Sequence, residues 1–177
     1  MQTLEPSPPI GAPQVTLRAP RLDDAARVAH LVNDFEVARM TTGIPHPYDR
    51  ADAEAFLARA AATDLAQEAS FAIDCADDGL VGLIGLYPSG ALGPELGYWV
   101  GRPFWGRGIA TQAVLALLSW ARSVRKRRLL MSGHFVDNPA SGRVLEKAGF
   151  LYTGEVLPRH SAARGEAAPT RMMVWLA

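Results

Sequence analysis

The stretch from residue 95 to residue 111 reads ELGYWVGRPFWGRGIAT and is the most informative part of the chain for predicting its fold. It combines a β-rich run at 95–100, a short turn, and the triplet Gly106-Arg107-Gly108 before a helical pattern that opens at Ile109. A helix start carries unpaired backbone N–H groups and a partial positive charge, and glycines without a Cβ let a ligand's phosphates approach those groups closely. The stretch therefore predicts a strand, a glycine turn and a helix N-terminus that together form an anion-binding cradle.

A Gly-x-Gly turn before a helix has two other interpretations. Such turns also pack a helix closely against a sheet without binding anything. A dinucleotide-binding site would need a further spaced glycine and an acidic residue about 20 residues later. Thr111 stands where that glycine would be, and the run near Arg125 is basic. A dinucleotide site is therefore disfavoured, and the rest of the chain has to decide between packing and phosphate binding.

Strands are predicted from β-rich runs that lie between turn signals. Three of them follow one another with short connections and are expected to form an antiparallel meander. A polar loop rich in Ala, Arg and Gly separates the last two. The predicted strands are 15–19, 70–74, 80–87, 96–100, 129–135, 150–156 and 170–176. Their alternation with helical segments indicates a mixed α/β fold.

Helices are predicted from apolar spacing and from their caps. Asp23 and Asp24 are expected to cap a first helix, and Asp49 with Asp52 resembles a carboxylate variant of a capping box for a second. The long helix after Ile109 ends in a basic cluster that complements the negative end of its dipole. The last helix is bracketed by Asn138-Pro139 at its start and Gly149 just past its end. The bounds of this last helix are the clearest in the chain.

Composition limits the class of protein. The 177 residues suit one domain, and 18 basic against 18 acidic residues give zero formal net charge, so nucleic acid is not an expected partner. Cys75 is the only cysteine, which favours a reducing compartment, and no apolar run reaches the roughly 20 residues of a membrane span. We expect a cytoplasmic monomer or homodimer without a metal, in which the proline-rich residues 1–13 form a flexible tail and 14–177 a single domain.

Four separated motifs make the chain resemble a known family, the GNAT acetyltransferases, and within it the ribosomal-protein N-terminal alanine acetyltransferases and their relatives. The motifs are Glu-x-Gly-Tyr-Trp at 95–99, Trp-Gly-Lys/Arg-Gly-x-Ala-Thr at 105–111, Asn-x-x-Ser at 138–141 and Glu-Lys-x-Gly-Phe at 146–150. The resemblance extends from about Thr16 to Leu176. Trp105 departs from the Gln or Arg usual in the superfamily's phosphate motif, although the branch commonly carries tryptophan there.

The resemblance implies a twisted, mostly antiparallel sheet of about seven strands, split where two central strands diverge, with about four flanking helices. It also implies acetyl-CoA as co-substrate. The amides of 106–111 would hold the pyrophosphate with charge from Arg107, and the splayed strand and Asn138 would hold the pantetheine arm. Asn138 is equally suited to cap the helix before Pro139. The residues assigned to acetyl-CoA are Tyr98, Trp99, Val100, Gly106, Arg107, Gly108, Ile109, Ala110, Thr111, Asn138 and Ser141.

Three residues are candidates for the chemistry. Acetyl transfer needs a neutral amine, so a base must take a proton from an ammonium whose pKa is about 8 for an α-amino group and above 10 for lysine. By the resemblance, Glu95 is the first candidate for this base; its alternative interpretation is a solvated acid at a strand edge. His160, expected in the polar loop before the last strand, is the rival because imidazole titrates nearest neutral pH. Ser141 either protonates the departing thiolate or caps its helix locally.

Several interpretations remain open at this level. Trp99 and Trp105 line an acetyl tunnel or, as we expect, pack in the core, and His134 is expected to be a hydrogen-bonded strand histidine. A catalytically silent acyl-CoA-binding sensor would lose the acid–base groups, so Glu95 and Ser141 favour an N-acetyltransferase that acts directly on a primary amine. The acceptor is either a protein N-terminus or a small amine, and a polyamine would favour an acidic cleft. The acids that such a cleft could gather are Asp34, Glu36, Asp49, Asp52 and Glu54.

Overall fold

The computed structural model describes residues 14–63, 68–90 and 93–177. These ranges contain one seven-stranded sheet in the order β1-β2-β3-β4-β5-β7-β6. All neighbouring strands are antiparallel except β4 and β5, which confirms the mixed, mostly antiparallel sheet. The tail expected at residues 1–13 lies outside the described residues. The strands are β1 (Val15–Arg18), β2 (Ala69–Cys75), β3 (Gly79–Tyr87), β4 (Glu95–Val100), β5 (Leu129–Phe135), β6 (Leu151–Ser161) and β7 (Glu166–Leu176).

The described ranges hold five α-helices, one more than the approximately four expected. The helix that the sequence did not predict is α2, a single turn, because one turn is too short to show a helical period. It begins at Asp34, whose carboxylate accepts the Glu36 amide at 3.0 Å. The helices are α1 (Ala25–Val32), α2 (Phe35–Ala38), α3 (Arg50–Ala62), α4 (Ile109–Ser123) and α5 (Pro139–Lys147).

Two predicted caps are present. The Asp49 carboxylate accepts the Asp52 amide at 2.9 Å, and the Asp52 carboxylate accepts the Asp49 amide at 3.0 Å, which is a reciprocal capping box at the start of α3. Asn138 Oδ1 accepts the Ser141 amide at 3.2 Å at the start of α5. By contrast, Asp24 does not cap α1 with its side chain; it forms a buried ion pair with Arg18.

The last two strands are longer than the sequence predicts. Residues 157–161 pair antiparallel with 166–170, so the polar loop shrinks to a turn at 162–165. The polar composition of this segment indicated a loop, but most of β6 is exposed at the edge of the sheet, where polar side chains carry no penalty. His160 therefore lies in a strand and not in a loop.

The core lies on the sheet and beneath α1 and α4. Leu17, Ile73 and Ile84 of the sheet and Ile109 and Leu117 of α4 are each no more than 1% exposed. The α4 contacts with β1, β3 and β4 fix the start of that helix relative to the sheet. Within the described ranges, none of the helices combines the length and apolar character that crossing a membrane requires.

Candidate active site

The parallel strands β4 and β5 separate from one another along most of their length. Among the described residues, their strand pairing is limited to Glu95 with Met131. The Met131 amide donates to Pro94 O at 3.0 Å, and Ser132 Oγ donates to Leu96 O at 2.9 Å. β5 then pairs with β7 along its whole length. The part of β4 beyond Leu96 consequently has an open edge, and this is the predicted splay.

The open edge of β4 presents backbone polar groups. In an antiparallel pair, alternate residues direct both N–H and C=O toward one neighbour. The Gly101 amide donates to Val81 O of β3 at 2.8 Å. By this alternation, Tyr98 and Val100 direct their N–H and C=O toward the opening. A chain with amide groups of its own, such as a pantetheine arm, has hydrogen-bonding partners there.

The two tryptophans within residues 95–111 differ in their burial. Trp99 is 9% exposed and packs in the core, as expected. Trp105 was expected in the core, and this is wrong, because its side chain is 49% exposed. Its indole Nε1 donates to Val100 O at 2.7 Å. The Trp105 indole thus satisfies the last carbonyl on the open edge of β4, and this hydrogen bond holds the turn that leads into the cradle.

The glycine turn and the first turn of α4 form the cradle. Gly106 and Gly108 both have φ +75°, in the left-handed region that favours glycine. A Cβ built on either would meet no protein atom within 4 Å, so the space in front of both is open. The first intrahelical bond runs from the Gln112 amide to Gly108 O at 3.2 Å. The amides of Ile109, Ala110 and Thr111 therefore precede the helical ladder and are available to an anion.

Arg107 projects beside this cradle and is already paired. Its Nη2 donates to Asp78 Oδ2 at 2.7 Å, and its guanidinium lies 5.6 Å from the centroid of the Phe104 ring. Asp78 belongs to the turn between β2 and β3. The expected positive charge is thus present at the cradle, with an acidic partner that sequence reasoning did not identify.

The start of α5 brings Ser141 to the side chain of Tyr98. Ser141 Oγ and the Tyr98 hydroxyl are 2.8 Å apart. Burial raises the pKa of Tyr98 to about 12, against the opposing effect of the hydrogen bond with Ser141. The phenol therefore stays protonated at neutral pH, and either of the two hydroxyls can donate in this contact. The sequence analysis assigned Tyr98 to acetyl-CoA binding and did not foresee this contact.

Glu95 is partly buried and has two side-chain partners. Arg159 Nη1 donates to both of its carboxylate oxygens at 2.8 and 2.9 Å, and Ser89 Oγ donates to Oε2 at 3.0 Å. The pair connects β4 to β6, which lies at the far edge of the sheet. Sequence reasoning missed Arg159 because it lies in the segment that was interpreted as a loop. No local pattern links a strand-end acid to an arginine 64 positions away.

The two histidines considered for the site have other surroundings. His160 follows Arg159 on β6, so the alternation of side chains directs it to the opposite face from the arginine that reaches Glu95. Its role as a base stays a prediction without a contact that supports it. His134 is buried, with Nδ1 2.9 Å from Phe135 O and Nε2 3.0 Å from the Tyr152 hydroxyl. It is the hydrogen-bonded strand histidine that was expected.

Glu95 and Tyr98 lie on opposite faces of the sheet. They are three residues apart on β4, and side chains on a strand alternate between faces. The Glu95–Arg159 pair thus lies on one face of the opening and the Tyr98–Ser141 pair on the other. A group held between β4 and β5 would have a carboxylate on one side and a hydroxyl donor on the other. This arrangement suits a transfer that removes a proton on one side and delivers one on the other.

The geometry fits a long ligand with an anionic end and an amide-bearing arm. The open space over Gly106 and Gly108 and the amides of α4 suit phosphates, and the open edge of β4 suits the arm. Among residues 14–63, 68–90 and 93–177, no cluster of three or more His, Cys, Asp or Glu side chains is placed to hold a metal ion.

Comparison with known proteins agrees with this geometry. The acetyltransferase (GNAT) domain family matches residues 14–151. A ribosomal-protein-serine acetyltransferase of Escherichia coli K12 is 39% identical over 61 residues, and the match covers 34% of each chain. The structure of Mycobacterium smegmatis RimJ in complex with CoA-disulfide superposes with a TM-score of 0.84 at 23% identity, over 99% of this chain and 88% of that one.

A second solved structure shows how widely the fold is shared. Spermidine N-acetyltransferase from Vibrio cholerae, in complex with CoA and spermine, has a TM-score of 0.76 at 20% identity, over 92% of this chain and 95% of that one. At these identities the superpositions establish the fold, and the family match covers most of the chain. The resemblance that the four motifs indicated is thereby confirmed: the chain belongs to the acetyltransferase (GNAT) family.

Proposed function

We propose that this protein transfers an acetyl group from acetyl-CoA directly to the α-amino group of a polypeptide. The observation that carries the proposal is the splay of β4 from β5, which opens toward the glycine turn and the free amides of α4. Glu95 and Ser141 lie on the two faces of that opening. The ribosomal-protein-serine acetyltransferase relative supports a polypeptide acceptor.

The chain's own groups would bind acetyl-CoA in two parts. The amides of 109–111, with Gly106 and Gly108 leaving space, would take the pyrophosphate at the positive end of the α4 dipole. The N–H and C=O groups of Tyr98 and the N–H of Val100 would pair with the pantetheine arm. Acetyl-CoA supplies an activated acetyl thioester, and the Val100 amide is one donor that could polarise its carbonyl.

Proton transfers on both faces of the opening complete the proposed reaction. Glu95, directly or through a water, accepts the proton of the acceptor ammonium, and the neutral amine then attacks the thioester carbonyl. The C–N bond forms, the C–S bond breaks, and the departing thiolate takes a proton from Ser141. The new amide nitrogen releases its second proton to solvent, and Ser141 recovers a proton from solvent. Tyr98 donates a hydrogen bond to Ser141 Oγ and orients it. Cys75 is buried and distant in sequence from these groups, so no acyl-enzyme is invoked.

The charges of the site favour an α-amino acceptor over a polyamine. Each acid that could have lined a polyamine cleft already has a local partner. Glu36 accepts from Arg39, Glu54 from Arg50, and Asp49 and Asp52 cap α3. Asp34 caps α2 and faces Arg102 at 3.5 Å. Among these five acids a polyamine would find few uncompensated carboxylates, whereas an α-amino group with a pKa of about 8 needs only one base.

The proposal is tested by measuring CoA release from acetyl-CoA in the presence of a panel of amines. The panel contains tetrapeptides with free N-terminal alanine or serine, the same peptides with a blocked N-terminus, and spermidine. We expect turnover with the free peptides, none with the blocked peptides, and little with spermidine. Mass spectrometry of the product places the acetyl group on the terminal nitrogen.

Two other results would contradict the proposal. Faster turnover of spermidine than of both peptides would show that the preferred acceptor is a small polyamine. Acetyl-CoA binding without turnover of any amine would support the catalytically silent sensor instead.

A further inference from the structure

A short segment crosses the open end of the splay. Residues 34–42, which we name the α2 bridge, comprise Asp34, α2 and the turn that follows. On the β4 side, Asp34 Oδ2 lies 3.5 Å from Arg102 Nη1, two residues beyond the end of β4. On the β5 side, Arg39 Nη1 donates to Asp137 Oδ2 at 3.0 Å, two residues beyond the end of β5. The α2 bridge therefore spans the ends of the two strands that diverge.

Asp137 is the point where three separate segments meet. Arg164 donates to both Asp137 oxygens at 2.9 Å, in the bidentate geometry that fixes a guanidinium plane. The same guanidinium donates through Nε to Arg39 O at 2.7 Å and lies 4.8 Å from the centroid of the Phe135 ring. Asp137 thus joins the start of α5, the α2 bridge and the turn between β6 and β7.

Backbone contacts extend this junction toward Glu95. The Ala162 amide donates to Thr42 O at 2.9 Å, so the β6–β7 turn is fixed to the α2 bridge independently of any charge. Arg159, the partner of Glu95, lies on β6 three residues before Ala162. Displacement of the turn would therefore shift the arginine that holds the proposed base. The cradle at 106–111 makes none of these contacts.

We propose that Asp137 is a positioning residue that sets the affinity for the acceptor amine, by holding the α2 bridge and the β6–β7 turn as one wall of the acceptor side. This inference rests on the proposed function for the identity of the acceptor. The Asp137 side chain is about half exposed, but Arg164 is largely buried, so their bidentate contact is a well-oriented ion pair within a network. The ion pairs of Asp137 fix the positions of the α2 bridge and the β6–β7 turn. A lysine in place of Arg164 could not reproduce the planar, two-pronged contact of the guanidinium group.

The test compares D137N and R164K with the control E54Q. Glu54 also forms an exposed ion pair, with Arg50 at 2.7 Å, but it lies on α3 outside the junction. For the N-terminal alanine tetrapeptide we expect both junction variants to raise KM about tenfold, within the roughly hundredfold cost that a displacement of about 1 Å can carry. Their acetyl-CoA dissociation constant should stay within about threefold of wild type and their kcat should fall by a smaller factor than KM rises, whereas E54Q should change nothing.

Salt provides a readout that a merely structural role would not change. Exposed ion pairs are screened as salt rises. The KM of the wild type for the acceptor should therefore rise between about 0.05 and 0.5 M NaCl, because the Debye length shortens over this range. The KM of D137N for the acceptor should already be high at low salt and should change little. An equal salt response in both proteins would overturn the proposal.

Hydrogen exchange tests the junction without any acceptor. We expect D137N and R164K to speed amide exchange at residues 34–42 and 162–165, with other regions unchanged. If the wild-type protein acetylates no amine in the panel, the proposed function is wrong. The hydrogen-exchange result still tests whether Asp137 and Arg164 hold residues 34–42 and 162–165 in place. Unchanged exchange in both variants, or an unchanged peptide KM despite faster exchange, or an equally weakened acetyl-CoA affinity, overturns the inference.

Discussion

The hydroxyl of Tyr98 and the Oγ of Ser141 are 2.8 Å apart, across the space between β4 and the start of α5. The two residues belong to separate motifs, at 95–99 and 138–141, and the contact joins them into one hydroxyl pair. Because the phenol remains protonated, with its pKa raised to about 12 by burial, it can orient Ser141 but cannot act as a base at neutral pH.

Removing the phenol hydroxyl should impair the chemical step selectively. Tyr98→Phe is expected to lower kcat about fivefold, the equivalent of the roughly 1 kcal/mol that one hydrogen bond contributes. Acetyl-CoA affinity should be nearly unchanged, since the backbone of Tyr98 is retained. Single-turnover rates for Tyr98→Phe, Ser141→Ala and the double variant form a thermodynamic cycle. The double variant should be no slower than Ser141→Ala alone, and additive losses would show that the phenol acts independently of the serine.

Removing the serine hydroxyl should reduce the rate of acetyl transfer more than removing the phenol hydroxyl does. Ser141→Ala is expected to slow acetyl transfer by about 10- to 100-fold, the lower range for a positioned proton donor, because a thiol with a pKa near 8.5 already leaves readily. The cap of α5 is made by the Asn138 side chain to the Ser141 amide and survives the substitution. The urea midpoint should therefore stay close to wild type. A normal rate would remove Ser141 from the reaction.

The carboxylate of Glu95 should matter most when the amine is protonated. Glu95→Gln is expected to reduce turnover about a hundredfold at pH 7 and about tenfold at pH 9, because alkaline solvent deprotonates an α-amino group with a pKa of about 8. Coenzyme binding should persist. The matched variant Arg159→Met keeps the carboxylate and removes its partner, so it should lose less activity. Equal losses at every pH in both variants would show that Glu95 serves only to anchor Arg159.

The cradle can be tested with two glycines of equal backbone conformation. Gly108 has φ +75° and Gly165 has φ +71°, and neither has protein atoms within 4 Å of a built Cβ. Alanine at either position should cost about 1 kcal/mol of folding free energy. Only Gly108→Ala should also weaken acetyl-CoA binding, by about tenfold, because its methyl group enters the space offered to phosphate. Calorimetry that finds equal affinities would remove Gly108 from the cradle.

Acid stability should depend on the buried pair of Asp24 and Arg18. Burial alone would raise the pKa of Asp24, but hydrogen bonds from Arg18 and the Arg21 amide outweigh it and hold the pKa below 3.8. A lowered folded pKa stabilises the protein above the ordinary carboxyl pKa of about 3.9, and this contribution is lost as pH falls through the folded value. Asp24→Asn should cost about 3 kcal/mol at pH 7, near the lower limit for a broken buried pair, because Asp74 still binds Arg18.

The measurement for this pair is the urea midpoint at pH 7, 4 and 3 (values chosen to bracket the carboxyl pKa of about 3.9). The midpoint of the wild type should fall toward that of Asp24→Asn as the pH decreases. Glu54→Gln, which removes an exposed acid, should follow the wild type at each pH. Parallel curves for wild type and Asp24→Asn would contradict the assignment.

Features that depend on neighbours in sequence were predicted correctly. The glycine turn before α4, the capping box of Asp49 and Asp52, and the Asn138 cap each involve residues no more than a few positions apart. Their chemistry is local: a positive φ, a helix end or a carboxylate within reach of an amide requires no partner from elsewhere in the chain. The strand order of the meander followed for the same reason, because short connections force adjacent strands to pair.

The glycine turn, the helix caps and the family follow from short stretches of sequence, whereas the side-chain contacts at the opening depend on the fold. Arg159 reaches Glu95 across 64 positions, and Ser141 reaches Tyr98 across 43. The extension of β6 and β7, which removed His160 from a loop, likewise depends on pairing between two polar strands. Such contacts are set by how the sheet curls and where its strands diverge. No local sequence pattern predicts them, because a hydrogen bond requires only that its two partners end close together in space. It places no requirement on the sequence between them.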